Sequence, residues 1–144
     1  METRTLSSAG FKHELSPQEL YVLSRHWLSD ITFSEVEMKY FKSRLAGFLD
    51  SENERHISRA DLLQRQLNEI IFFKDLLKEK IFGLQQQLEV GLNDPDMLSS
   101  TSLNLQFSRM EGEFGDFIRS FRHLKCGFFT AWANSTGANA AGIM

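Results

Sequence analysis

The chain has 144 residues, 42% apolar and 24% charged, a balance typical of one globular domain with a hydrophobic core. The net charge of −3 does not favour nucleic acid or an anionic lipid surface as a partner, and no stretch reaches the roughly 20 apolar residues of a membrane span. A single cysteine, Cys126, excludes an internal disulfide, and the first residues lack the apolar run of a signal peptide. We therefore expect a cytoplasmic protein.

The first predicted helix covers about residues 16–50 and follows an N-terminal arm of residues 1–15. Ser16 can cap this helix, Pro17 suits its first position, and Glu19 completes a capping box. Apolar and small residues then recur in alternating steps of four and three, which is the spacing of a heptad seam. This seam contains Leu20, Ser24, Trp27, Ile31, Ser34, Met38, Phe41, Leu45 and Phe48.

The second predicted helix covers about residues 54–91, after a short polar connection. Asn93, Asp94 and Pro95 end it, because these residues favour turns. Its seam is apolar except at one lysine and contains Leu63, Leu67, Ile70, Lys74, Leu77, Ile81, Leu84 and Leu88.

The third predicted helix covers about residues 99–133 and has a seam rich in phenylalanine. Residues 134–144 are small and polar, and we predict a disordered tail there. The seam contains Leu103, Phe107, Met110, Phe114, Phe117, Phe121, Leu124 and Phe128.

Together these elements predict an all-α fold, an antiparallel up-down-up bundle of three long helices with coiled-coil-like seams. Short connections between long helices make sequence neighbours antiparallel. Residues 16–133 then form a single helical-bundle domain.

Lys74 occupies a core position of the second seam, where an unpaired ammonium group is costly. The predicted register places it level with Ile31 and Phe121, beside Asp30. We interpret Lys74 and Asp30 as a buried polar pair that fixes the helix register. The alternative interpretation is an anion or ligand pocket.

Apolar residues also form rows on the outer faces of the first two helices: Phe33, Val36 and Tyr40 on one, Phe72 and Leu76 on the other. The N-terminal arm, a second copy of the chain, or a different partner could cover them. Because symmetric dimers are the commonest oligomers, we favour a homodimer or another helical protein as the partner.

No pattern of catalytic residues is present, so we do not expect an enzyme. The seams hold no Asp or Glu, and no Glu-x-x-His occurs, which argues against a di-metal carboxylate bundle. His123 and Cys126 are two candidate metal ligands, but a closed site needs about four. We therefore predict no metal and no cofactor.

A basic cluster near the end of the third helix, Arg119, Arg122 and Lys125, is a candidate anion patch. Nucleic-acid binding would require a wider positive face. The Phe-rich seam, opposite Ser24 and Ser34, suggests as an alternative a carrier of hydrophobic small molecules, although core packing explains the same residues. The sequence thus favours a non-catalytic bundle that acts through self-association or protein binding.

Overall fold

The computed structural model describes residues 14–49, 54–93 and 100–143. These residues form three helices that pack against each other, α1 (Pro17–Leu49), α2 (Glu54–Asn93) and α3 (Ser100–Ile143). The predicted all-α, three-helix fold is confirmed. None of the helices in these three ranges is long and apolar enough to cross a membrane.

The chain divides into two compact units, and each helix contributes to both. The first comprises Met1–Ser34 and Phe73–Phe117, and the second comprises Glu35–Phe72 and Ile118–Met144. Asp and Glu outnumber Lys and Arg by 12 to 7 in the first, whereas Lys and Arg outnumber Asp and Glu by 9 to 7 in the second. We refer to them as the acidic unit and the basic unit.

Contacts within the acidic unit give the directions of the helices. From α2 to α3, Lys80 bonds to Glu113 and Gln87 bonds to Gln106, so these two helices are antiparallel. Between α1 and α3, Leu15, just before α1, contacts Asn104, and Trp27 further along α1 contacts Phe114 further along α3. Residue numbers increase together along both helices, so these two helices are parallel. This is the up-down-up order that the short connections predict.

Burial follows the predicted seams almost position by position. All described seam residues are buried except Phe114, which is half-buried and lies against Trp27 with ring centroids 6.1 Å apart. The side chain of Phe48 lies outside the described part of the chain. Ala60 and Gly91 extend the α2 seam by one step at each end. The coiled-coil character of these seams stays a prediction.

The start of α1 is fixed by local and tertiary hydrogen bonds. The backbone N–H of Ser16 donates to Glu19 Oε1 at 2.8 Å, and the N–H of Glu19 donates to Ser16 Oγ at 3.1 Å, which confirms the capping box. One residue earlier, the buried side chain of Asn104 accepts from the Leu15 N–H at 2.7 Å and donates to the Leu15 carbonyl at 3.0 Å. The chain entering α1 is therefore held against α3.

The third helix is longer than predicted. Its backbone is helical to Ile143, whereas the prediction placed the end near residue 133 and a disordered tail at 134–144. This segment lacks proline, the residue that most strongly disrupts a helix interior, and three of its residues are alanines, which favour a helix. Of the predicted N-terminal arm, residues 1–13 lie outside the described residues.

Candidate functional site

The predicted outer rows are exposed. Phe33 and Val36 on α1 are 66% and 62% exposed, Tyr40 is 53% exposed, and on α2 Phe72 and Leu76 are 65% and 41% exposed. Helix geometry accounts for Phe72, which lies two residues from the buried Ile70 and from the buried Lys74 and therefore points away from the core. Whether a partner covers these rows stays a prediction.

In the basic unit, two of these residues, Val36 and Tyr40, belong to a larger apolar surface. Tyr40 of α1 and Phe129 of α3 are both more than half exposed, and both rings contact the buried indole of Trp132. The ring centroids are 6.0 Å apart for Tyr40–Trp132 and 5.9 Å for Phe129–Trp132, within the range of favourable edge-to-face contacts. We call Val36, Tyr40, Arg44, Phe129 and Trp132 the aromatic surface.

The buried residues beneath this surface determine where its rings lie. Phe41 and Phe128 stack with centroids 4.5 Å apart, and Phe41 also contacts Trp132 at 5.6 Å. Tyr40 directly precedes Phe41 in the sequence, and Phe129 directly follows Phe128. Because successive residues of a helix point about 100° apart, both rings are turned out of the core. A stacked pair in the core thus holds two exposed rings at adjacent positions on different helices.

The aromatic surface has a positive border. The Arg44 guanidinium carbon lies 4.6 Å from the centre of the Trp132 ring, a cation–π geometry. Glu35 and Glu37 flank Val36 in the sequence, but the segments that follow, residues 38–49 of α1 and 118–144 of α3, contain six Lys or Arg and no Asp or Glu. An anionic group approaching these rings would therefore meet cations on both helices.

The predicted anion patch is altered by a tertiary contact. Arg119 and Arg122 are exposed, but Lys125 is half-buried, and its Nζ lies 3.2 and 3.3 Å from the two carboxylate oxygens of Glu37. The same ammonium lies 4.9 Å from the centre of the Phe121 ring. Lys125 is thus committed to an ion pair between α1 and α3, because α1 presents a carboxylate that the α3 sequence alone does not reveal.

Lys74 is buried, as its seam position predicts, and one of its contacts is with Asp75, while the Lys74–Asp30 pair stays a prediction. Its Nζ lies 2.6 Å from Oδ1 of Asp75, the next residue, while Asp30 is exposed. Only 10% of the Lys74 side chain is exposed, against 59% for Asp75. The lysine therefore extends from the core towards a carboxylate at the surface. In this snorkelling arrangement the stem is buried, and the charged group meets a carboxylate on the next residue.

The candidate metal ligands do not come together into a larger group. His123 and Cys126 are exposed on α3. Among the residues that the structure describes, no three His, Cys, Asp or Glu side chains are placed to hold a metal ion.

The rings of the Phe-rich seam contact other aromatic rings. Trp27 stacks on Phe107 with centroids 5.7 Å apart, and Phe117 contacts Phe73 at 6.1 Å. The small Ser24 does not leave open space beside it, because Gln85 of α2 reaches across and donates to Ser24 Oγ at 3.0 Å. These contacts favour core packing as the role of the seam.

Sequence reasoning missed the α3 side of the aromatic surface. Phe129 and Trp132 continue the apolar character of α3, but their pattern does not say which neighbouring helix they face. Phe129 follows the seam residue Phe128 directly, and such a doubled aromatic was the available signal for an exposed ring. Arg44 carried no signal, because its contact with Trp132 exists only in the folded chain.

Comparisons with protein-family models, with curated proteins and with solved structures find no match for this chain.

Proposed function

We propose that this chain is a non-catalytic helical bundle that acts by binding proteins, either a second copy of itself or another helical protein. The aromatic surface is the observation that carries the proposal. Tyr40 and Phe129 each leave more than half of their area in water. A contiguous exposed apolar patch on a folded domain is characteristic of an interaction site.

The α2 row, Phe72 and Leu76, supports self-association. The exposed charged residues within two turns of it carry both signs, with Arg65 and Lys80 as well as Glu69 and Glu79. A two-fold interface brings the same patch of each copy together, so a patch with mixed charges can pair with itself without net repulsion. A homodimer through α2 is the form of self-association that we propose.

The alternative function, a carrier of hydrophobic small molecules, receives less support from the contacts of the core. The Phe-rich seam contacts other rings, and Gln85 occupies the position beside Ser24. A binding cavity would require ring edges that face open space.

The mass of the protein in solution tests the proposed self-association through α2. We expect light scattering to give a dimer for the wild-type chain and a folded monomer for Phe72→Glu/Leu76→Glu, because two carboxylates would be buried without partners in the interface. Both positions are exposed in a single chain, so helical content by circular dichroism should not change.

The matched control is Gln66→Glu/Gln86→Glu, which adds the same two charges at exposed positions of α2. This control should remain a dimer. A wild-type monomer, or a dimer that survives the substitutions at Phe72 and Leu76, would contradict self-association through α2.

A further inference from the structure

We propose that the aromatic surface binds an acidic amphipathic helix from another protein. This inference rests on the proposed protein-binding function and adds the chemistry of the partner. It concerns the face formed by α1 and α3 in the basic unit, which is distinct from the Phe72 and Leu76 row on α2.

The geometry of the two helices favours a helical partner. In the basic unit, Glu37 of α1 contacts Lys125 of α3. Tyr40, one turn further along α1, contacts Trp132, two turns further along α3, so the two helices run in the same direction. Tyr40 comes from one helix and Phe129 from the other, and both rest on Trp132. A further helix laid along two neighbouring helices packs into the groove between their ridges and converts three helices into four.

The exposed rings suit the apolar stripe of such a helix. Val36 and Tyr40 are four residues apart and thus lie one above the other on α1. Val36 and Tyr40 thus match anchors one turn apart, at positions i and i+4 of a bound helix, while Phe129 adds a contact from α3. Large exposed rings over a buried indole are also the residue types that dominate binding energy at protein interfaces.

The charge of the surface determines the sign of the partner. Arg44 lies against Trp132, and Arg122, two turns before Phe129, is exposed. Lys125 is already paired with Glu37, and no other Asp or Glu follows Glu37 on α1 or occurs on α3 beyond residue 117. Glutamates flanking the apolar stripe of a partner would lie beside these arginines, where guanidinium groups bind carboxylates in a bidentate manner.

The same charges disfavour a second copy of the chain on this face. In a two-fold contact through the aromatic surface, Arg44 and Arg122 of one copy would meet the same basic surface of the other copy. Like charges facing each other across an interface are unfavourable. An acidic foreign helix satisfies both the apolar and the charged parts of the surface.

The test uses the full chain and two synthetic amphipathic peptides, each about three heptads long with Leu at a and d. One peptide carries Glu at e and g, and the other carries Lys there. Binding is followed by fluorescence anisotropy of the labelled peptide. We expect the Glu peptide to bind at least about tenfold more tightly than the Lys peptide, and its affinity to fall as salt is raised.

Two double variants separate the apolar and the charged contributions. Tyr40→Ala/Phe129→Ala should weaken binding of the Glu peptide by about 30-fold, as expected when interface anchors are truncated. Arg44→Glu/Arg122→Glu should reverse the preference so that the Lys peptide binds more tightly. The control, Val22→Ala/Leu105→Ala, truncates two residues of comparable exposure in the acidic unit and should leave both affinities unchanged.

Several outcomes would overturn the inference. Equal affinity for the two peptides, no binding of either peptide, or unchanged binding by the arginine variant would each refute an acidic helix as the partner. Phosphatidylserine vesicles or a single-stranded RNA oligonucleotide that bind through the same residues, while the Glu peptide does not, would assign the surface to another class of ligand. The light-scattering test of the α2 row is independent of all these results, so a failure here does not decide the proposed self-association.

Discussion

The acidic and basic units are built from the same three helices but are held together by different contacts. In the acidic unit, polar side chains join the helices, with Asn104 bonded to the backbone of Leu15, Gln85 bonded to Ser24, and Lys80 bonded to Glu113. In the basic unit, aromatic rings dominate. The ring centroid of Phe41 on α1 lies within 6.2 Å of the centroids of four rings on α3, those of Phe121, Phe128, Phe129 and Trp132.

This difference shows how one heptad pattern can serve two purposes. Hydrogen bonds between buried polar groups have strict geometry, so they fix position and direction. Aromatic contacts tolerate several geometries, and rings too numerous to be buried together extend to the surface. The unit that packs with aromatic residues is therefore also the unit that presents an apolar binding surface, bordered by the positive charges that we infer to select its partner.

The largest expected effect lies in the basic unit, at Phe41. Phe41→Ala should lower the free energy of unfolding by about 3–5 kcal/mol, measured by urea denaturation, because it removes a buried ring and opens a cavity. In the acidic unit, Phe107→Ala should cost roughly 1 kcal/mol less, since the ring of Phe107 stacks on that of Trp27, whereas the ring of Phe41 contacts several rings. Equal losses would mean that ring-to-ring contacts add nothing beyond burial, and the contrast between the units would then not extend to their energetics.

An intermediate effect is expected in the acidic unit, at Asn104. Asn104→Ala should lower the free energy of unfolding by about 1–3 kcal/mol, because the part-buried N–H and carbonyl of Leu15 lose their partner. Hydrogen exchange at the Leu15 amide should become faster. As a control, Asn68→Ala, at an exposed position of α2, should change stability by less than about 0.5 kcal/mol. An unchanged Leu15 exchange rate in Asn104→Ala would contradict the role of this side chain in holding the chain against α3.

The smallest effect is expected at Lys74. Lys74→Met should leave the free energy of unfolding unchanged or raise it by about 1 kcal/mol, because a buried ammonium group often contributes less to stability than an apolar side chain of similar volume. Asp75→Asn should have the opposite sign, since it withdraws the carboxylate from a lysine that stays buried. Urea denaturation measures both variants. If Lys74→Met instead lowered the free energy of unfolding by about 2 kcal/mol or more, the lysine would be a net source of stability. Polar contacts in the acidic unit would then stabilise the fold more than we argue.

The helices and their buried faces were predictable because the information is local and repeated. Ser16 and Glu19 lie three residues apart and cap the same helix, and each seam repeats its spacing over several heptads, so an error at one position does not change the result. The end of α3 was not predictable in the same way. Residues 134–143 have weak individual helix signals, and a helix that is already formed extends through such residues at little cost.

The candidate site was predictable only in part. Exposure of Val36, Tyr40 and Phe72 follows from helical spacing, but the neighbours of Tyr40 do not. Its contact with Trp132 depends on the rotation of α3 relative to α1, and a shift of one residue on a helix turns a side chain by about 100°. Long charged side chains are less predictable still, because one lysine can reach carboxylates on its own helix or on another.

By itself, the sequence determined three helices, their order of direction, the capping of α1 and the faces that enter the core, since these depend on periodicity and on short connections. The tertiary structure alone decided two partners of long polar side chains: Glu37 for Lys125, and the backbone of Leu15 for Asn104. It also decided that Tyr40 and Phe129 share one surface. The physical reason is that hydrogen bonds, ion pairs and ring contacts act over a few ångströms, so they depend on how the helices are rotated and aligned, which a local pattern does not encode.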